Sequence, residues 1–136
     1  MNVLIIEDEV NAFNYLKLIL QQVRPDYTIL KHLESVEDAI NWLFQNDHPD
    51  LIFLDIQLSD GLSFEIFKHI DVTCPIIFTT AFDQYAIEAF KVNSIDYLLK
   101  PIHTDDLQRA IKKLESQQKA STKDWTPQLD QIFAQL

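Results

Sequence analysis

Polar side chains that could do chemistry follow four apolar runs of the sequence, at the points where those runs end. They are three acidic residues, a lone aspartate, two threonines and a lysine before a proline: Glu7, Asp8, Glu9, Asp55, Thr79, Thr80, Lys100 and Pro101. Carboxylates gathered in one place repel each other, and a divalent cation relieves that repulsion. Hard oxygen ligands with few protein contacts suit Mg²⁺, and a lysine facing them favours a second anion. Carboxylates, metal, hydroxyl and lysine together describe a phosphoryl-transfer site, where positioning and charge neutralisation are most of the chemistry.

These side chains meet only if the runs before them are strands of one sheet. Five short apolar runs predict strands at residues 2–6, 27–33, 51–54, 75–78 and 94–99. Four of them are continuous rather than alternating, which is typical of strands covered on both faces. Segments of helical period separate the runs. The second predicted helix starts with a capping-box-like Ser35 and Asp38, the third begins after Gly61 with Leu62 and Ile66 on one face, the fourth covers 83–92, and the fifth starts at Thr104.

Strand alternating with helix five times predicts a parallel sheet with helices on both faces. We therefore expect an α/β, doubly wound, flavodoxin-like fold with a five-stranded parallel sheet in the order 2-1-3-4-5. In that order strands one and three are neighbours at the topological switch point, where ligands bind beyond the carboxyl ends of the strands. Residues 7–9 and Asp55 then converge on one pocket.

Composition excludes several other classes of protein. The 136 residues suffice for one domain, and 47% hydrophobic with 24% charged residues is the balance of an ordinary globule. A net charge of −10 without a basic stretch argues against direct nucleic-acid binding by this chain. No run is long enough to span a membrane, and a single cysteine, Cys74, makes no internal disulfide, so we expect a cytoplasmic protein. The four histidines fall on separate predicted elements with no shared spacing, and no role is assigned to them.

Four motifs carry the strand-end residues: VLIIEDE, LIFLDIQLSDG, PIIFTTAFD and IDYLLKPI. Through them, residues 2 to about 118 resemble the receiver domain of a two-component response regulator. The longer strings FTTAFDQYAIEAFKVN and SIDYLLKPI resemble, more particularly, receivers that precede a LytTR-type DNA-binding domain, which this chain lacks. The resemblance implies a phosphorylation-activated signalling switch rather than an enzyme acting on other molecules, since such a domain catalyses only its own phosphorylation and dephosphorylation.

The resemblance implies roles for the acidic residues. Asp55 matches the phosphoacceptor, a carboxylate nucleophile that forms an aspartyl phosphate, and it also contacts the metal. Glu7 and Asp8 match the acidic pair that holds Mg²⁺, with Mn²⁺ as a substitute. Of the two, Asp8 is the expected direct ligand, and Glu7 is expected to act through water. The backbone carbonyl of Gln57 matches the third protein oxygen on the metal.

The same resemblance implies roles on the last two strands. Lys100 matches the lysine that neutralises the phosphoryl oxygens, and the Lys100–Pro101 peptide bond matches one that is commonly cis. Thr80 matches the hydroxyl that moves toward the phosphoryl group, with Thr79 as its one-residue competitor. Tyr97 matches the aromatic residue whose rotamer follows the switch; the alternative is a half-buried aromatic of the sheet.

The chain departs from the family pattern around the acceptor. Asp55 and Gly61 are only six residues apart, with Ser59 near the place of the family's proline. The acidic pair is Glu-Asp rather than Asp-Asp. The positions that gate the hydrolytic water in this family hold Gln57 and Phe82, and we expect the Phe82 ring to exclude water from the phosphoryl group.

We also predict an output surface on the fourth helix, the fifth strand and the fifth helix. Tyr85, Ile87 and Tyr97 are its predicted dimer residues, because exposed aromatic side chains are enriched in interface cores. The alternative is that these large side chains all belong to the hydrophobic core. Phosphorylation is expected to promote homodimerisation through this surface.

The expected organisation is a receiver domain over residues 1–120, followed at 121–136 by a linker and the start of an interdomain helix. Expected partners are a sensor histidine kinase, a second copy of the chain and, through the missing domain, DNA; no membrane is expected. Two other functions stay open. One is an Mg²⁺-dependent aspartyl-phosphate phosphatase, although its second aspartate is replaced here by Gln57. The other is an unphosphorylated pseudo-receiver that acts only as an interaction module.

Overall fold

The computed structural model describes residues 1–81 and 96–120 of the chain. In this part of the chain the elements alternate largely as predicted. They are β1 (Asn2–Ile6), α1 (Val10–Val23), β2 (Thr28–Leu33), α2 (Val36–Gln45), β3 (Leu51–Asp55), β4 (Gln57–Leu58), β5 (Gly61–Leu62), a 3-10 helix (Ser63–Lys68), β6 (Ile76–Thr80), β7 (Asp96–Leu99) and α3 (Thr104–Ala120). The predicted fourth helix and the segment 121–136 lie outside the described residues.

The main sheet has five strands in the order β2-β1-β3-β6-β7, and all four strand pairs are parallel. This confirms the predicted order 2-1-3-4-5, since β6 and β7 are the fourth and fifth predicted strands. Every residue of β3 and β6 is buried. Their continuous apolar sequences follow from that, because helices cover both faces of a parallel sheet.

Two hydrophobic clusters cover the two faces of this sheet. On one face α1 and α3 pack through Leu16, Leu20, Leu107 and Ile111, together with other apolar residues of both helices. On the opposite face α2 and the 3-10 helix pack through Val36, Leu43 and Ile66, among others. Below we call these the α1 face and the α2 face. Apolar residues recur at every third or fourth position in α1, α2 and α3, and they form the side of each helix that packs against the sheet.

The segment after Gly61 differs from the prediction of a third helix. Residues 57–62 form a short antiparallel hairpin of β4 and β5, in which Gln57 pairs with Leu62 and Leu58 with Gly61. Gly61 has φ +144°, a conformation that L side chains rarely adopt. Because Leu62 is still paired in the hairpin, the helical turn starts only at Ser63, and it is a 3-10 helix. Ile66 is buried as expected, whereas Leu62 is 48% exposed.

Strand β2 contains a bulge opposite the middle of β1. Val3 pairs with Ile29, but the next residue, Leu4, pairs with Lys31, so Leu30 has no partner in the register. A one-residue shift moves all later side chains to the opposite face of the sheet. Ile29 accordingly packs on the α1 face, whereas Leu33, four residues later, is buried on the α2 face.

A polar cluster ties the end of α1 and the start of β2 to α3. Arg24 binds Glu115 through two nitrogens, at 2.8 and 3.1 Å, and reaches Gln108 at 2.9 Å. The hydroxyl of Tyr27 donates to the same Glu115 carboxylate. Bidentate, charge-assisted hydrogen bonds of this kind fix orientation as well as distance.

Among the described residues, none of the helices is long and apolar enough to cross a membrane.

Candidate functional site

Asp55 ends β3 at the carboxyl edge of the sheet and is 4% exposed. Its Oδ2 accepts a hydrogen bond from the Lys100 ammonium at 2.8 Å, and its Oδ1 lies 3.3 Å from the backbone nitrogen of Gln57. Lys100 follows β7, so two strands that do not pair directly, β3 and β7, deliver this contact. The predicted convergence of an aspartate and a lysine is present.

Glu7 lies beside Asp55 and shares its lysine. Its Oε1 is 2.5 Å from Lys100 Nζ, and its Oε2 accepts from the Glu9 backbone N–H at 3.2 Å. Burial raises the pKa of Glu7 from its ordinary 4.5 to about 7, against the opposing effect of Lys100 and with a further increase from the charge of Asp55. Burial alone would lower the pKa of Lys100, but its hydrogen bonds to Asp55 and Glu7 outweigh that effect and raise it.

Three carboxylates stand close enough to hold one cation. Ligand atoms of Glu7, Asp8 and Asp55 all lie within 4.8 Å of one another. Within the described ranges, the ion pairs of this site come from the Lys100 ammonium, which binds Glu7 and Asp55. A hard dication with oxygen preference therefore fits the three-carboxylate donor set. Asp8 is partly exposed, whereas Glu7 and Asp55 are buried. The geometry therefore suits Mg²⁺ or Mn²⁺ entering from the Asp8 side.

An open cleft of about 400 Å³ lies over these carboxylates. It is lined by Asp8, Glu9, Asp55, Gln57, Leu58, Ser59, Ala81 and Lys100. Since one water occupies about 30 Å³ of liquid, the cleft has room for a hydrated ion together with a phosphoryl group. The Glu7 carboxylate faces Lys100 beside this cleft.

Strand register separates the two candidate threonines. Phe78 pairs with Tyr97, and both pack on the α2 face of the sheet. Since side chains alternate along a strand, Thr80 points to the same side as Phe78 and Tyr97, whereas Thr79 points to the α1 face with Ile77. The backbone carbonyl of Thr80 also accepts from Lys100 N at 2.8 Å. This arrangement places Thr80, rather than Thr79, on the side of Tyr97, whereas Thr79 is the residue that pairs with Asp55.

The loop after the acceptor is anchored in a way that the sequence did not reveal. Asp60 accepts hydrogen bonds from the backbone N–H groups of Val36 and Glu37, at 2.8 and 3.1 Å. Ser35 accepts from Asp38 N at 3.0 Å, which confirms the predicted helix cap. Together the two side chains satisfy the first free N–H groups of α2. The bond from Val36 lowers the pKa of Asp60, with a further contribution from Glu37.

The other predicted site residues differ in their surroundings, and some lie outside the described residues. The Lys100–Pro101 peptide bond is cis. Gln57 is exposed at the cleft, and Tyr97 is half-buried. The predicted residues Phe82, Tyr85 and Ile87 lie outside the described residues.

One histidine has a place in the site despite having no assigned role. The Nε2 atom of His32 lies 2.7 Å from the backbone carbonyl oxygen of Glu7. No sequence spacing reveals this contact, because the bulge in β2 decides which face His32 occupies. An isolated polar residue near the end of a predicted strand was the only available signal.

Comparison with known proteins places the chain among signalling domains. A family model described as the response regulator receiver domain matches residues 3–112. The sensory transduction protein LytT of Bacillus cereus is 39% identical over 123 residues, which cover 88% of this chain and 49% of the relative. The sensory transduction protein LytR of Streptococcus mutans is 35% identical over 130 residues, or 93% of this chain and 53% of that protein. The chain thus spans about half the length of the curated relatives it matches.

Solved structures show the same fold. The response regulatory domain of protein mrkE from Klebsiella pneumoniae matches with a TM-score of 0.74 and 27% identity, covering 89% of this chain and 100% of that chain. A two-component response regulator from Clostridium difficile matches with a TM-score of 0.69 and 32% identity, covering 85% and 96%. The parallel five-stranded fold is therefore shared with proteins of known structure.

Proposed function

This chain belongs to the response regulator receiver domain family, and from that premise we propose that Asp55 accepts a phosphoryl group from a sensor histidine kinase. One observation carries the proposal: the Lys100 ammonium binds Asp55 Oδ2 at 2.8 Å while Glu7, Asp8 and Asp55 bring ligand atoms within 4.8 Å of one another. A nucleophilic carboxylate, a cation site and a fixed positive charge are the parts that phosphoryl transfer requires.

In the proposed reaction an oxygen of the Asp55 carboxylate forms a bond to phosphorus as the bond from phosphorus to the kinase's imidazole nitrogen breaks. The electron pair of that broken bond stays on the imidazole, which leaves as a neutral base once protonated. Asp8 and Asp55, with the Gln57 carbonyl, would hold Mg²⁺, which neutralises charge on the transferring group. Lys100 moves its hydrogen bond from the carboxylate to a phosphoryl oxygen. Positioning and charge neutralisation supply the catalysis.

The proposed switch runs through the α2 face. Thr80 donates its hydroxyl to the phosphoryl group, and Tyr97, on the same face of the sheet, changes rotamer in response. Gln57 and Phe82 control access of the water that hydrolyses the aspartyl phosphate. A phosphoryl group biases two conformations only through contacts that differ between them, and Thr80 and Lys100 provide those contacts.

We further propose the organisation of the whole protein from its relatives. The curated relatives carry names such as sensory transduction protein LytT, and one from Staphylococcus aureus is a transcriptional regulatory protein LytR. Residues 121–136 would lead from this domain into a LytTR-type DNA-binding domain, in the cytoplasm. Phosphorylation would pair two receivers through a surface that includes Tyr85, Ile87 and Tyr97. Such pairing would align two DNA-binding domains on neighbouring half-sites.

Phosphoacceptance is tested by incubating the chain with acetyl phosphate and measuring intact mass. We expect the mass of one phosphoryl group to be added in Mg²⁺ or Mn²⁺, and no addition in EDTA. Asp55→Asn should remove the labelling, while Asp47→Asn, an exposed aspartate outside the site, should label like the wild type. Labelling of Asp55→Asn, or labelling in EDTA, would overturn the assignment. Absence of any labelling would favour a pseudo-receiver, and steady release of phosphate from added phosphomonoesters would favour a phosphatase.

Dimerisation is tested by sedimentation with and without beryllofluoride, which mimics the phosphoryl group. We expect the wild type to shift from monomer to dimer and Tyr85→Ala to remain a monomer. Tyr15→Ala is the matched control because Tyr15 is an exposed tyrosine on α1, an element that the proposed surface does not include. A wild type that stays monomeric at high micromolar concentration in both states would contradict the proposed output.

A further inference from the structure

His32 occupies its position because of the bulge at Leu30. After the bulge, His32 pairs with Ile5, and its ring lies on the α1 face, where Ile5 is buried. There the ring stacks on Phe13 of α1, with centroids 3.7 Å apart and planes within 2° of parallel. A regular strand would have turned His32 to the α2 face, away from Phe13.

The stacked ring reaches the backbone of the acidic loop. Nε2 of His32 lies 2.7 Å from the carbonyl oxygen of Glu7. A carbonyl oxygen only accepts hydrogen bonds, so Nε2 carries the hydrogen and donates it. The stack on Phe13 fixes the plane of the ring and therefore the direction of that N–H.

The hydrogen bond from His32 fixes a peptide carbonyl that lies beyond the end of the strand pairing. The pairing of β1 with both β2 and β3 ends at Ile6. Beyond it, the N–H of Glu7 donates to Leu33 O at 2.9 Å, and its carbonyl accepts from His32. Two successive residues of β2 thus fix both sides of Glu7. Its carbonyl belongs to the peptide that joins Glu7 to Asp8, so the direction in which the Asp8 carboxylate leaves the backbone depends on it.

We propose that His32, held by Phe13, is a positioning residue that orients the Glu7–Asp8 peptide for cation binding. The inference deepens the proposed function and rests on the cation site that this function requires. Outer hydrogen-bond partners of metal ligands typically change metal affinity 10- to 100-fold when removed. His32 acts on the backbone rather than on a ligand atom, so we expect the lower end of that range.

Mn²⁺ binding, followed by the electron paramagnetic resonance signal of the free ion, tests this role without any phosphorylation. His32→Leu keeps an apolar side chain against Phe13 but removes the donor, and we expect about tenfold weaker binding. His32→Gln places an amide N–H near the position of Nε2, and we expect it to bind within about threefold of the wild type. The matched control is His69→Leu, an exposed histidine beyond the 3-10 helix, which should bind as the wild type does.

A purely structural role predicts a different pattern. Affinities of His32→Leu and His32→Gln that equal each other, with both proteins folded by circular dichroism, would overturn the proposal. If His32→Leu does not fold, Phe13→Leu replaces it: this variant loses the stack but keeps the donor, and we expect threefold to tenfold weaker Mn²⁺ binding. Wild-type affinity in Phe13→Leu would then overturn the proposal.

The same titrations separate this inference from the proposed function. A wild type that binds no Mn²⁺ would refute both. A wild type that binds Mn²⁺ in the expected order of variants but takes no phosphoryl group from acetyl phosphate would refute phosphoacceptance and support the role of His32.

Discussion

Replacing Glu7 by glutamine should change how the stability of the metal-free protein depends on pH. Glu7 is 4% exposed, and its pKa rises on folding from 4.5 to about 7. Below pH 4.5 the carboxyl is protonated in both folded and unfolded chains, so its burial does not lower the free energy of unfolding. Between pH 4.5 and 7 the unfolded chain loses this proton while the folded chain keeps it, and stability falls. Above pH 7 both forms are ionised and the loss is complete.

The size of the effect follows from the shift. One pKa unit corresponds to about 1.4 kcal/mol, so a rise of about 2.5 units destabilises the wild type by about 3 kcal/mol at pH 8 relative to pH 4.5. Glutamine has no proton to lose. We therefore expect the unfolding free energy of Glu7→Gln, minus that of the wild type, to increase by about 2–3 kcal/mol across this range. Comparing the two proteins at each pH cancels the titrating groups that do not contact Glu7.

Urea unfolding in EDTA, followed by circular dichroism at pH 4.5, 6, 7 and 8, measures this difference. Glu34→Gln is the matched control because Glu34 is exposed, and its difference from the wild type should stay flat. Adding Mg²⁺ should reduce the pH dependence of the wild type, because a bound cation favours the ionised carboxylates. A difference between Glu7→Gln and the wild type that does not change with pH would refute the reasoning from burial.

The other predictions concern the anchor of the acceptor loop, the polar cluster on α3 and the phosphoryl lifetime. Asp60→Ala leaves two N–H groups of α2 without their acceptor and should cost about 1 kcal/mol in urea unfolding, compared with no change for the exposed Asp71→Ala. Glu115→Gln should lower the free energy of unfolding by about 1 kcal/mol, and Tyr27→Phe, which removes one hydrogen bond, should lower it by about 0.5–1 kcal/mol. If the two costs simply add in the double variant, the two residues do not belong to one shared cluster. Phe82→Ala should shorten the half-life of the aspartyl phosphate measured by intact mass, and an unchanged half-life in a folded protein would rule out shielding by this ring.

The sequence was sufficient to predict the sheet and the meeting of charges at its edge. Continuous apolar runs bounded by polar residues are typical of strands buried on both faces, and the order of a doubly wound sheet then brings the ends of β1, β3 and β7 together. Asp55, Glu7 and Lys100 are in contact for that reason. The cap at Ser35 was predictable because its hydrogen bond spans only three residues.

Contacts that cross the fold were not predictable in the same way. Asp60 is 24 residues from the helix start that it caps, and nothing local distinguishes it from an ordinary turn aspartate. The apolar spacing of Leu62 and Ile66 fits a helix, yet the hairpin pairing of Leu62 overrides it. A helical period in the sequence shows which residues a helix could bury. Pairing with a second segment determines which structure forms, and therefore which residues are buried. The face of the sheet on which each of the two threonines lies could be assigned only once the register with Tyr97 was known.

The bulge in β2 has a consequence for which sequence changes the strand can tolerate. Leu30 is 41% exposed, so replacing it by another residue removes little contact. Deleting it would join Ile29 directly to Lys31 and restore an unbroken alternation in which Lys31, His32 and Leu33 keep their present partners Leu4, Ile5 and Ile6. A regular strand that kept Leu30 is what would turn Leu33 away from the α2 face and His32 away from Phe13, and that change would persist to the end of the strand. Leu30 is therefore the extra residue that the bulge accommodates, and relatives should vary freely in residue type at this position or lack it, with the later side chains of β2 on the same faces as here.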